Sequence, residues 1–343
     1  MIWLFIDSRS VGGAERHVAT LAQSLTKRGL AAEVVLYSNY GRNPWIEQLQ
    51  AANVSIHFLD GSFTSLVKAL RRKRPGLLHT HGYKAGVLGR IAARMVGTPV
   101  VSTFHSGERF RYPVSVYHWL DDWTSFLGER IVVSKMIKRR VPFPSAHIPS
   151  FINTSKAPPS GTLPRRVGFV GRLSEEKRPD LFCALARRSP PGVEWHVYGN
   201  GPMGARLELE YGDTVRFHGT VTDLEPAWST LGLLVMPSRF EGLPLAALEA
   251  LTAGIPVLAS RVGDLSSVVV DGQTGWLFES GDIDAALSCL EDWRALDDPQ
   301  QAIMRRACWT HVRTNFSELK WLPEVLVVYK HAGFFPPIEV SAA

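Results

Sequence analysis

The sequence predicts an α/β protein with two doubly wound, Rossmann-like domains that face each other across a cleft. Two observations lead to this fold class: short apolar runs alternate with segments of helical periodicity in both halves, and a stretch rich in proline and serine separates the halves. Alternation of this kind is typical of parallel sheets covered on both faces. A chain of 343 residues is long enough for two such domains.

The N-terminal half contains five apolar runs that predict strands of one parallel sheet: 2–7, 31–38, 54–60, 76–81 and 99–105. Between them lie segments whose apolar residues recur three and four positions apart, which predicts helices at 13–29, 65–74 and 85–97. We expect residues 1–157 to form the first domain.

The second half repeats this pattern after the segment 142–164, whose proline and serine content indicates a linker. Six further strands are predicted: 165–171, 193–199, 214–219, 231–238, 255–260 and 274–278. We expect residues 158–316 to form the second domain. Ligands of such sheets bind at the carboxyl ends of the strands, so the cleft between the domains is the expected site.

Composition limits the classes of protein to which the chain can belong. Cys183, Cys289 and Cys308 are widely spaced and show no Cys-x-x-Cys pairing, which predicts neither a disulfide framework nor a zinc site and indicates a reducing cytoplasm. The first apolar run is interrupted at Asp7, too early for a signal peptide or a membrane span. A net charge of +6 is compatible with an anionic partner, but no nucleic-acid-binding motif accompanies it, so nucleic acid is not expected.

The loop after the strand 165–171 carries Arg172 and Lys177, five residues apart and just before a predicted helix. Two cations near a helix N-terminus suit a diphosphate, because Arg binds phosphate oxygens in pairs and the free N–H groups add partial positive charge. The alternative is that the two cations pair with Glu175 and Glu176 on a solvated surface.

The segment 237–244 follows another strand and ends in Pro244, a favoured first residue of a helix. The N–H groups of Gly242 and Leu243 would then be available to an anion or a hydroxyl group. Glu241 lies in this loop, and Glu249 lies deeper along the same helix. Sugar or ribose hydroxyls are natural donors to such carboxylates. Alternatively, Glu249 caps a backbone turn or pairs with an Arg.

Several segments together resemble glycosyltransferase family 4, a group of retaining enzymes with the GT-B fold. The matching phrases are VGRLSEEKRPD at 170–180, VYGNGPM at 197–203, VRFHGTV at 215–221, PSRFEGLPLAALEALTAGIPVLAS at 237–260 and VDGQTGWLF at 270–278. The first half matches more weakly through SVGGAERHVATLAQSLTKRG at 10–29, HTHGYKAG at 79–86 and TFHSGE at 103–108.

This resemblance implies a retaining, hexosyltransferase-type enzyme that takes its sugar from a UDP- or GDP-sugar and uses no separate cofactor. It also implies roles for individual residues. Arg172 and Lys177 would neutralise the donor diphosphate, Glu241 would contact the transferred sugar, and Glu249 would bind the ribose. Further site residues implied by the family are His105 beside the sugar, and the donor-binding Gly12, Gly13, Gly199, Gly201, Gly242, Leu243 and Pro244.

The resemblance extends to the end of the chain, where the segment 317–335 is similar to the helix with which family members return to their first domain. Two departures from the family pattern stand out. The run from Asp264 to Ser267 replaces a Gly-x-Pro-Glu segment, which puts one edge of the donor pocket in doubt, and Arg178 stands where a glycine is common.

A required metal is not expected. Asp282 and Asp284 have the Asp-x-Asp spacing of metal-dependent glycosyltransferases of another fold, but they precede a predicted helix and are expected to cap it. The pairs at 121–122 and 297–298 also adjoin helices and lack a visible ligand set.

Three other functions are alternatives to glycosyl transfer. The run GNGPMG at 199–204 has dinucleotide-binding spacing, but Pro202 removes an N–H from the phosphate cradle, which argues against a dehydrogenase. A sugar-nucleotide epimerase with the same architecture is a closer rival. A catalytically silent sugar-binding subunit is disfavoured by the intact cations and carboxylates.

The acceptor is expected to be a glycan or a lipid-linked glycan, and by resemblance the setting is bacterial lipopolysaccharide or exopolysaccharide synthesis. The segment 109–140 interleaves aromatic and basic residues, a mixture suited to an anionic membrane surface, and the basic run at 71–74 could add to it. The equally weighted alternative is that the aromatics pack into the first core. The predicted location is therefore the cytoplasm, with or without peripheral attachment to the inner face of the plasma membrane.

Overall fold

The computed structural model describes residues 1–9, 12–41, 43–105, 114–154, 160–221 and 223–335. The chain divides into two compact units. One comprises Met1–Asn153 together with the segment that begins at Glu318, and the other comprises Thr154–Ser317. Each unit contains one parallel sheet.

The first unit contains a seven-stranded sheet in the order β3-β2-β1-β4-β5-β6-β7. Its strands are β1 (Ile2–Ile6), β2 (Ala32–Leu36), β3 (Ser55–Phe58), β4 (Leu77–His81), β5 (Val100–Phe104), β6 (Glu129–Val132) and β7 (Ala146–His147). Its helices are α1 (Gly13–Lys27), α2 (Pro44–Ala51), α3 (Phe63–Lys73), α4 (Tyr83–Val96), α5 (Val114–Thr124) and α6 (Lys135–Arg140), and a 3₁₀ turn spans Ser125–Leu127.

The central strands of this sheet are covered on both faces. Every residue of β1, β4 and β5 is buried, as expected for a parallel sheet between two helical layers. Register pairs Ile6 with His81, and His81 with Thr103. The carboxyl ends of β1, β4 and β5 therefore lie side by side, and the strand order reverses between β1 and β4.

All five strands predicted in the first half are present, but the prediction of a linker over 142–164 is partly wrong. β7 lies inside that segment and pairs with β6 at the sheet edge. β6 was also missed, because its sequence lies within the aromatic and basic segment. A two-residue strand such as β7 has no periodicity to detect, and only the neighbouring strand defines it.

The second unit contains a six-stranded sheet in the order β10-β9-β8-β11-β12-β13. Its strands are β8 (Arg166–Val170), β9 (Glu194–Tyr198), β10 (Val215–Phe217), β11 (Leu233–Met236), β12 (Val257–Ser260) and β13 (Gly275–Phe278). Its helices are α7 (Pro179–Arg188), α8 (Gly204–Tyr211), α9 (Glu225–Thr230), α10 (Leu245–Thr252), α11 (Leu265–Val268), α12 (Ile283–Ala295) and α13 (Asp298–Asn315). All six predicted strands are present.

The last helix, α14 (Glu318–His331), packs on the first sheet. Its Leu322, Val325 and Tyr329 are buried in the same apolar cluster as Ile2 and Leu4 of β1. This packing explains why the end of the chain belongs to the first unit. Among the described residues, no helix combines the length and the apolar character needed to cross a membrane.

Candidate active site

The second sheet reverses its strand order between β8 and β11, and the loops after these strands bring Lys177 and Glu241 together. Lys177 Nζ donates to Glu241 Oε1 at 2.7 Å, and Ser238 Oγ donates to the same oxygen at 2.8 Å. The Glu241 side chain is only 4% exposed, so it depends on these donors to offset its desolvation. The ion pair of Lys177 is thus with Glu241, in the loop after β11, and not the surface pair with Glu175 or Glu176 that was the alternative.

Backbone hydrogen bonds hold the loop after β8 against its neighbours. Leu173 N donates to Asn200 O at 3.0 Å, and Arg239 N donates to Glu176 O at 2.8 Å. The loops after β8, β9 and β11 therefore form one connected surface at the carboxyl edge of the sheet. Arg172 lies exposed on this surface, while Lys177 is partly covered.

Gly199 and Gly201 allow this close approach of the loops. A Cβ on Gly199 would lie 1.9 Å from Gly171 O, and one on Gly201 would lie 2.5 Å from Leu173 O. Gly199 also has a φ of +141°, which other residues rarely adopt. Both glycines are thus explained by backbone packing around the loop that carries Arg172.

α10 begins one residue later than predicted. Pro244 is its N-cap, with an extended ψ of 117°, and the first helical residue is Leu245. Within the described residues, the N–H groups of Gly242 and Leu243 donate to no backbone carbonyl. These two groups therefore remain open to a ligand at the N-terminus of α10, as the sequence predicted.

Glu241 lies just before this helix terminus, and Glu249 lies inside the helix. Glu249 lies half-buried in α10, whereas Leu245, Ala247, Leu248, Ala250 and Leu251 of the same helix are buried. Glu241 also has a close backbone neighbour, because a Cβ on Gly263 would lie 1.9 Å from its carbonyl oxygen. The run that departs from the family pattern, 264–267, follows directly after this contact, and 265–267 lie in α11.

Arg178 has a left-handed backbone, with φ 54° and ψ 47°, at the N-cap of α7. This conformation favours glycine, because a Cβ is strained there. The arginine that stands here in place of the family's common glycine is therefore held in a strained backbone conformation. Its guanidinium forms an ion pair with Asp180 at 3.1 Å.

In the first unit, Gly12 is the N-cap of α1 and Gly13 is its first residue. A Cβ on Gly12 would lie 2.8 Å from Oε2 of Glu15, whereas one on Gly13 would meet nothing within 4 Å. Glu15 lies in the first turn, where burial raises the pKa of its carboxyl. The described residues of this unit thus give no steric reason for a glycine at position 13.

His105 follows β5 and belongs to a cluster of four histidines. His81 Nδ1 lies 3.0 Å from His105 Nε2, and the His17 ring lies 5.0 Å from the His105 ring between centroids. His79 is held separately, with Nδ1 2.7 Å from Tyr329 Oη and Nε2 2.7 Å from Thr103 Oγ1. Burial lowers the pKa of His17 to about 4, and it lowers the pKa values of the other three well below the ordinary value.

His105 was predicted from the sequence as a site residue, but the other three histidines of this cluster were not. His79 and His81 lie in β4, and His17 lies in α1, so they are far apart along the chain. The spacing His-x-His in a buried strand was the available signal, because two polar rings on one face of a covered strand need polar partners.

The acidic pairs considered as metal ligands have other partners. Asp282 accepts from Ala285 N at 2.9 Å and caps α12, and Asp297 forms a capping box with Gln300. The capping prediction for Asp282 is confirmed. Asp121 pairs with Arg90. Within the described part of the chain, the group of side chains that could hold a metal ion is instead His17, His81 and His105.

Two family descriptions match most of the chain. Residues 11–156 match Glycosyltransferase Family 4, and residues 164–293 match Glycosyl transferases group 1. The chain is a member of glycosyltransferase family 4. The predicted family is confirmed, and the protein is a glycosyltransferase.

Curated relatives of this glycosyltransferase have related activities in their names. It is 27% identical to the UDP-Gal:alpha-D-GlcNAc-diphosphoundecaprenol alpha-1,3-galactosyltransferase of Escherichia coli over 305 aligned residues, covering 78% of each chain. It is 25% identical to the D-inositol 3-phosphate glycosyltransferase of Mycolicibacterium paratuberculosis, covering 94% of this chain and 86% of the relative.

Solved structures confirm the GT-B fold predicted for this family member. The Anabaena protein HepE in complex with UDP and glucose aligns with a TM-score of 0.79 and 19% identity, over 96% of this chain and 100% of HepE. The sucrose-phosphate synthase of Thermosynechococcus elongatus aligns with a TM-score of 0.77 and 20% identity, over 96% and 98% of the two chains.

Proposed function

We propose that this glycosyltransferase moves a hexosyl group, with retention of anomeric configuration, from a UDP- or GDP-sugar to a glycan or lipid-linked glycan. The proposal depends on one observation above all. At the switch point of the second sheet, the Lys177–Glu241 ion pair joins the loop that carries exposed Arg172 to the loop that leads into α10. Cations, open N–H groups and carboxylates in one place provide partners for the diphosphate and hydroxyl groups of a nucleotide sugar.

In the proposed mechanism, Arg172 and Lys177 stabilise the charge that develops on the diphosphate as the sugar departs. This is electrostatic catalysis by groups already held in place. The ion pair with Glu241 positions Lys177 Nζ. In return, Lys177 Nζ offsets the desolvation of the buried Glu241 carboxylate, which can accept hydrogen bonds from sugar hydroxyls. No general base is assigned.

Glu249 is proposed to bind the donor ribose, and the N–H groups of Gly242 and Leu243 to bind phosphate or hydroxyl oxygens. In the first unit, His105 and the backbone at Gly12 and Gly13 are proposed to lie beside the transferred sugar. Gly13 supports this assignment. Within the described residues, nothing lies within 4 Å of a Cβ built at this position, so a bound ligand would account for the absence of a side chain there.

The donor assignment is supported by the named partners of similar proteins. HepE was crystallised with UDP, and the Escherichia coli relative is named for UDP-Gal. The acceptor of that relative is a diphosphoundecaprenol-linked sugar. By analogy we propose a lipid-linked or glycan acceptor in the synthesis of bacterial lipopolysaccharide or exopolysaccharide.

A lipid-linked acceptor would require access to a membrane surface, and α5 supplies a suitable face. Four aromatic side chains of α5 and the following turn are at least half exposed: Tyr117, Trp119, Trp123 and Phe126. The alternative, in which the aromatics pack into the first core, therefore does not apply to these four side chains. Exposed Lys135, Lys138 and Arg139 lie in α6, which is tied to α5 through the Arg140–Asp122 ion pair. We propose that this face binds anionic membranes peripherally.

Thermal unfolding with UDP, GDP, ADP and NAD, each without metal and then with magnesium, would test the donor site. We expect one of the uridine or guanosine diphosphates to raise the Tm without metal, because a ligand that binds only the folded state stabilises it. Glu249→Ala and Arg172→Ala should lose this shift. A shift with NAD alone would refute the transferase site.

Product analysis distinguishes transfer from its rivals. With the stabilising sugar nucleotide and an acceptor library, we expect a new glycosidic bond whose anomeric configuration, read by NMR, matches the donor, and activity that persists in EDTA. Epimerisation of the donor without acceptor would favour the epimerase. Donor binding with neither reaction would favour the silent subunit.

Membrane binding can be tested by sedimentation with vesicles. We expect the protein to pellet with phosphatidylglycerol vesicles and not with phosphatidylcholine vesicles, and Trp119→Ser/Trp123→Ser to remain in the supernatant. Ile303→Ser, which changes an apolar side chain that is 71% exposed on α13, is the matched control. Equal pelleting of the double variant and the wild type would refute the proposed face.

A further inference from the structure

We propose that His17, His81 and His105 form a binding site for a borderline transition-metal ion, for which Zn²⁺ is the probe. The three side chains each offer one ligand nitrogen, and these nitrogens all lie within 4.8 Å of one another. Imidazole nitrogen is a preferred ligand of Zn²⁺. The site lies entirely within the first unit, at the carboxyl ends of β4 and β5 and the first half of α1.

The three rings surround a common centre. Their centroids are separated by 5.0 Å between His17 and His105, 5.3 Å between His81 and His105, and 5.8 Å between His17 and His81. In a tetrahedral site with Zn–N bonds of about 2.0–2.1 Å, the ligand nitrogens lie roughly 3.4 Å apart. The ligand nitrogens already lie within 4.8 Å of one another, so rotation of the rings would have to close the remaining gap and replace the His81 Nδ1–His105 Nε2 hydrogen bond.

Unpartnered nitrogens support a ligand at this position. His17 Nδ1 and His81 Nε2 are buried, and within the described residues neither has a hydrogen-bond partner. A buried polar atom left without a partner destabilises the fold, because it has lost its hydrogen bonds to water. Two such atoms lie in this one cluster, on side chains that are 3% and 1% exposed, and a bound ion would provide a partner there.

His79 serves as an internal comparison. It lies 4.2 Å from His81 between ring centroids, yet Tyr329 and Thr103 occupy both of its nitrogens. The fold therefore satisfies the one histidine of the cluster that lies outside the proposed ligand set. Its contacts also fix the ring against which His81 packs.

Three protein ligands leave a fourth position of a tetrahedral ion open to water or to an oxygen of a bound sugar. A bound metal ion would also be ligated by His105, which the proposed function places beside the transferred sugar. Because transfer is expected to need no metal, we infer that a bound ion inhibits it. This consequence depends on the proposed function, whereas the metal site itself does not.

Metal binding is measured on the full-length, untagged protein without nucleotide. We expect Zn²⁺ in a competing chelator buffer to raise the Tm, and Co²⁺ to give the intense visible absorption of a tetrahedral ion. His17→Gln and His81→Gln should each weaken Zn²⁺ binding by about tenfold or more, since even the loss of groups that only orient ligands costs 10–100-fold. The controls are His196→Gln, from a histidine pair in the second unit, and the exposed His331→Gln.

Unchanged Zn²⁺ affinity in both ligand variants, or a Co²⁺ spectrum like that of the aqueous ion, would overturn the site. The Co²⁺ spectrum of the wild-type protein tests whether the metal site exists even if a variant fails to fold. Transfer is assayed separately with and without Zn²⁺. Binding without inhibition would overturn only the inferred inhibition, and loss of all transferase activity in metal-free wild type would contradict the proposed function instead.

Discussion

Lys177 Nζ lies 2.7 Å from Glu241 Oε1, across the switch point of the second sheet. The two residues are 64 positions apart in the chain, and only the adjacency of β8 and β11 brings their loops together. The pair thus couples the proposed diphosphate-binding cation to the proposed sugar-binding carboxylate, so changing either residue should alter both folding stability and donor binding.

Lys177→Met removes the cation and leaves a carboxylate that is almost fully buried. We expect the free energy of unfolding to fall by about 1–3 kcal/mol, the usual range for a buried polar group that loses its partner. Nucleotide diphosphate affinity should fall about tenfold or more for loss of a charged contact worth about 1.5–3 kcal/mol. Urea unfolding and calorimetric titration measure the two effects.

The matched control for this variant is Arg206→Met, which removes an exposed cation from α8. The double variant Lys177→Met/Glu241→Leu should recover part of the stability, because no unpaired carboxylate remains, but should recover no nucleotide affinity. Wild-type stability and wild-type affinity in Lys177→Met would contradict the role of the pair.

Gly199→Ala and Gly242→Ala distinguish glycines required by the fold from those required by a ligand. The Cβ at position 199 would overlap Gly171 O, whereas the Cβ at position 242 would meet nothing within 4 Å. We expect Gly199→Ala to lower the Tm by several degrees and to weaken nucleotide binding through the displaced loop. Gly242→Ala should leave the Tm unchanged and weaken nucleotide binding alone. Equal Tm values for the two variants would refute this assignment.

Most of the sheet was predictable because parallel strands buried on both faces are continuous apolar runs. The two missed strands are the last two on one side of the sheet. β6 has four residues, of which only two are fully buried, and the edge strand β7 has two residues. Strands that bury so little apolar surface are poorly defined by local sequence. The helix start at Pro244 was wrong by one residue, since proline suits both the N-cap and the first helical position.

The candidate site was predictable only where local sequence carries the chemistry. Arg172, Lys177, Glu241 and Glu249 were identified from strand ends and family resemblance, but the Lys177–Glu241 contact was not. The histidine cluster was missed for the same reason. His17, His81 and His105 meet because β1, β4 and β5 are adjacent in the sheet and α1 packs against them, and no spacing within the sequence encodes that adjacency.

Arg178→Gly should stabilise the second unit. The left-handed backbone strains a residue with a Cβ by about 1–2 kcal/mol, while the ion pair with Asp180 is partly exposed and contributes less than about 1 kcal/mol. We therefore expect a net gain of about 0.5–1 kcal/mol in the free energy of unfolding. Arg178→Ala retains the strain and loses the ion pair, so it should be no more stable than wild type. An Arg178→Gly variant less stable than Arg178→Ala would contradict the argument.

Arg90→Met should destabilise the first unit more than any surface change. Arg90 is fully buried in α4, and its guanidinium donates to Asp121 Oδ1 at 2.7 Å and to Ser102 Oγ at 2.9 Å. Removing one member of a buried ion pair typically costs about 3–5 kcal/mol, because the other charge stays buried. Arg94→Met, which changes an exposed residue of the same helix, is the matched control and should change stability by less than about 0.5 kcal/mol.

The effect of Arg90→Met should depend on pH in a defined direction. Burial raises the pKa of Asp121 from 3.8 to about 6 even though Arg90, and more weakly Arg140, favours the ionised form. A raised pKa means that the contribution of this carboxyl to stability is complete below pH 3.8 and is lost as the pH rises through 6. Without Arg90 the pKa rises further, so the destabilisation should be largest at pH 7 to 8 and should shrink towards pH 5 as the carboxyl becomes protonated. Urea unfolding of the wild type and of Arg90→Met from pH 5 to pH 8 measures this difference in the free energy of unfolding. A difference that is constant with pH would show that lost packing, and not the uncompensated charge, is responsible.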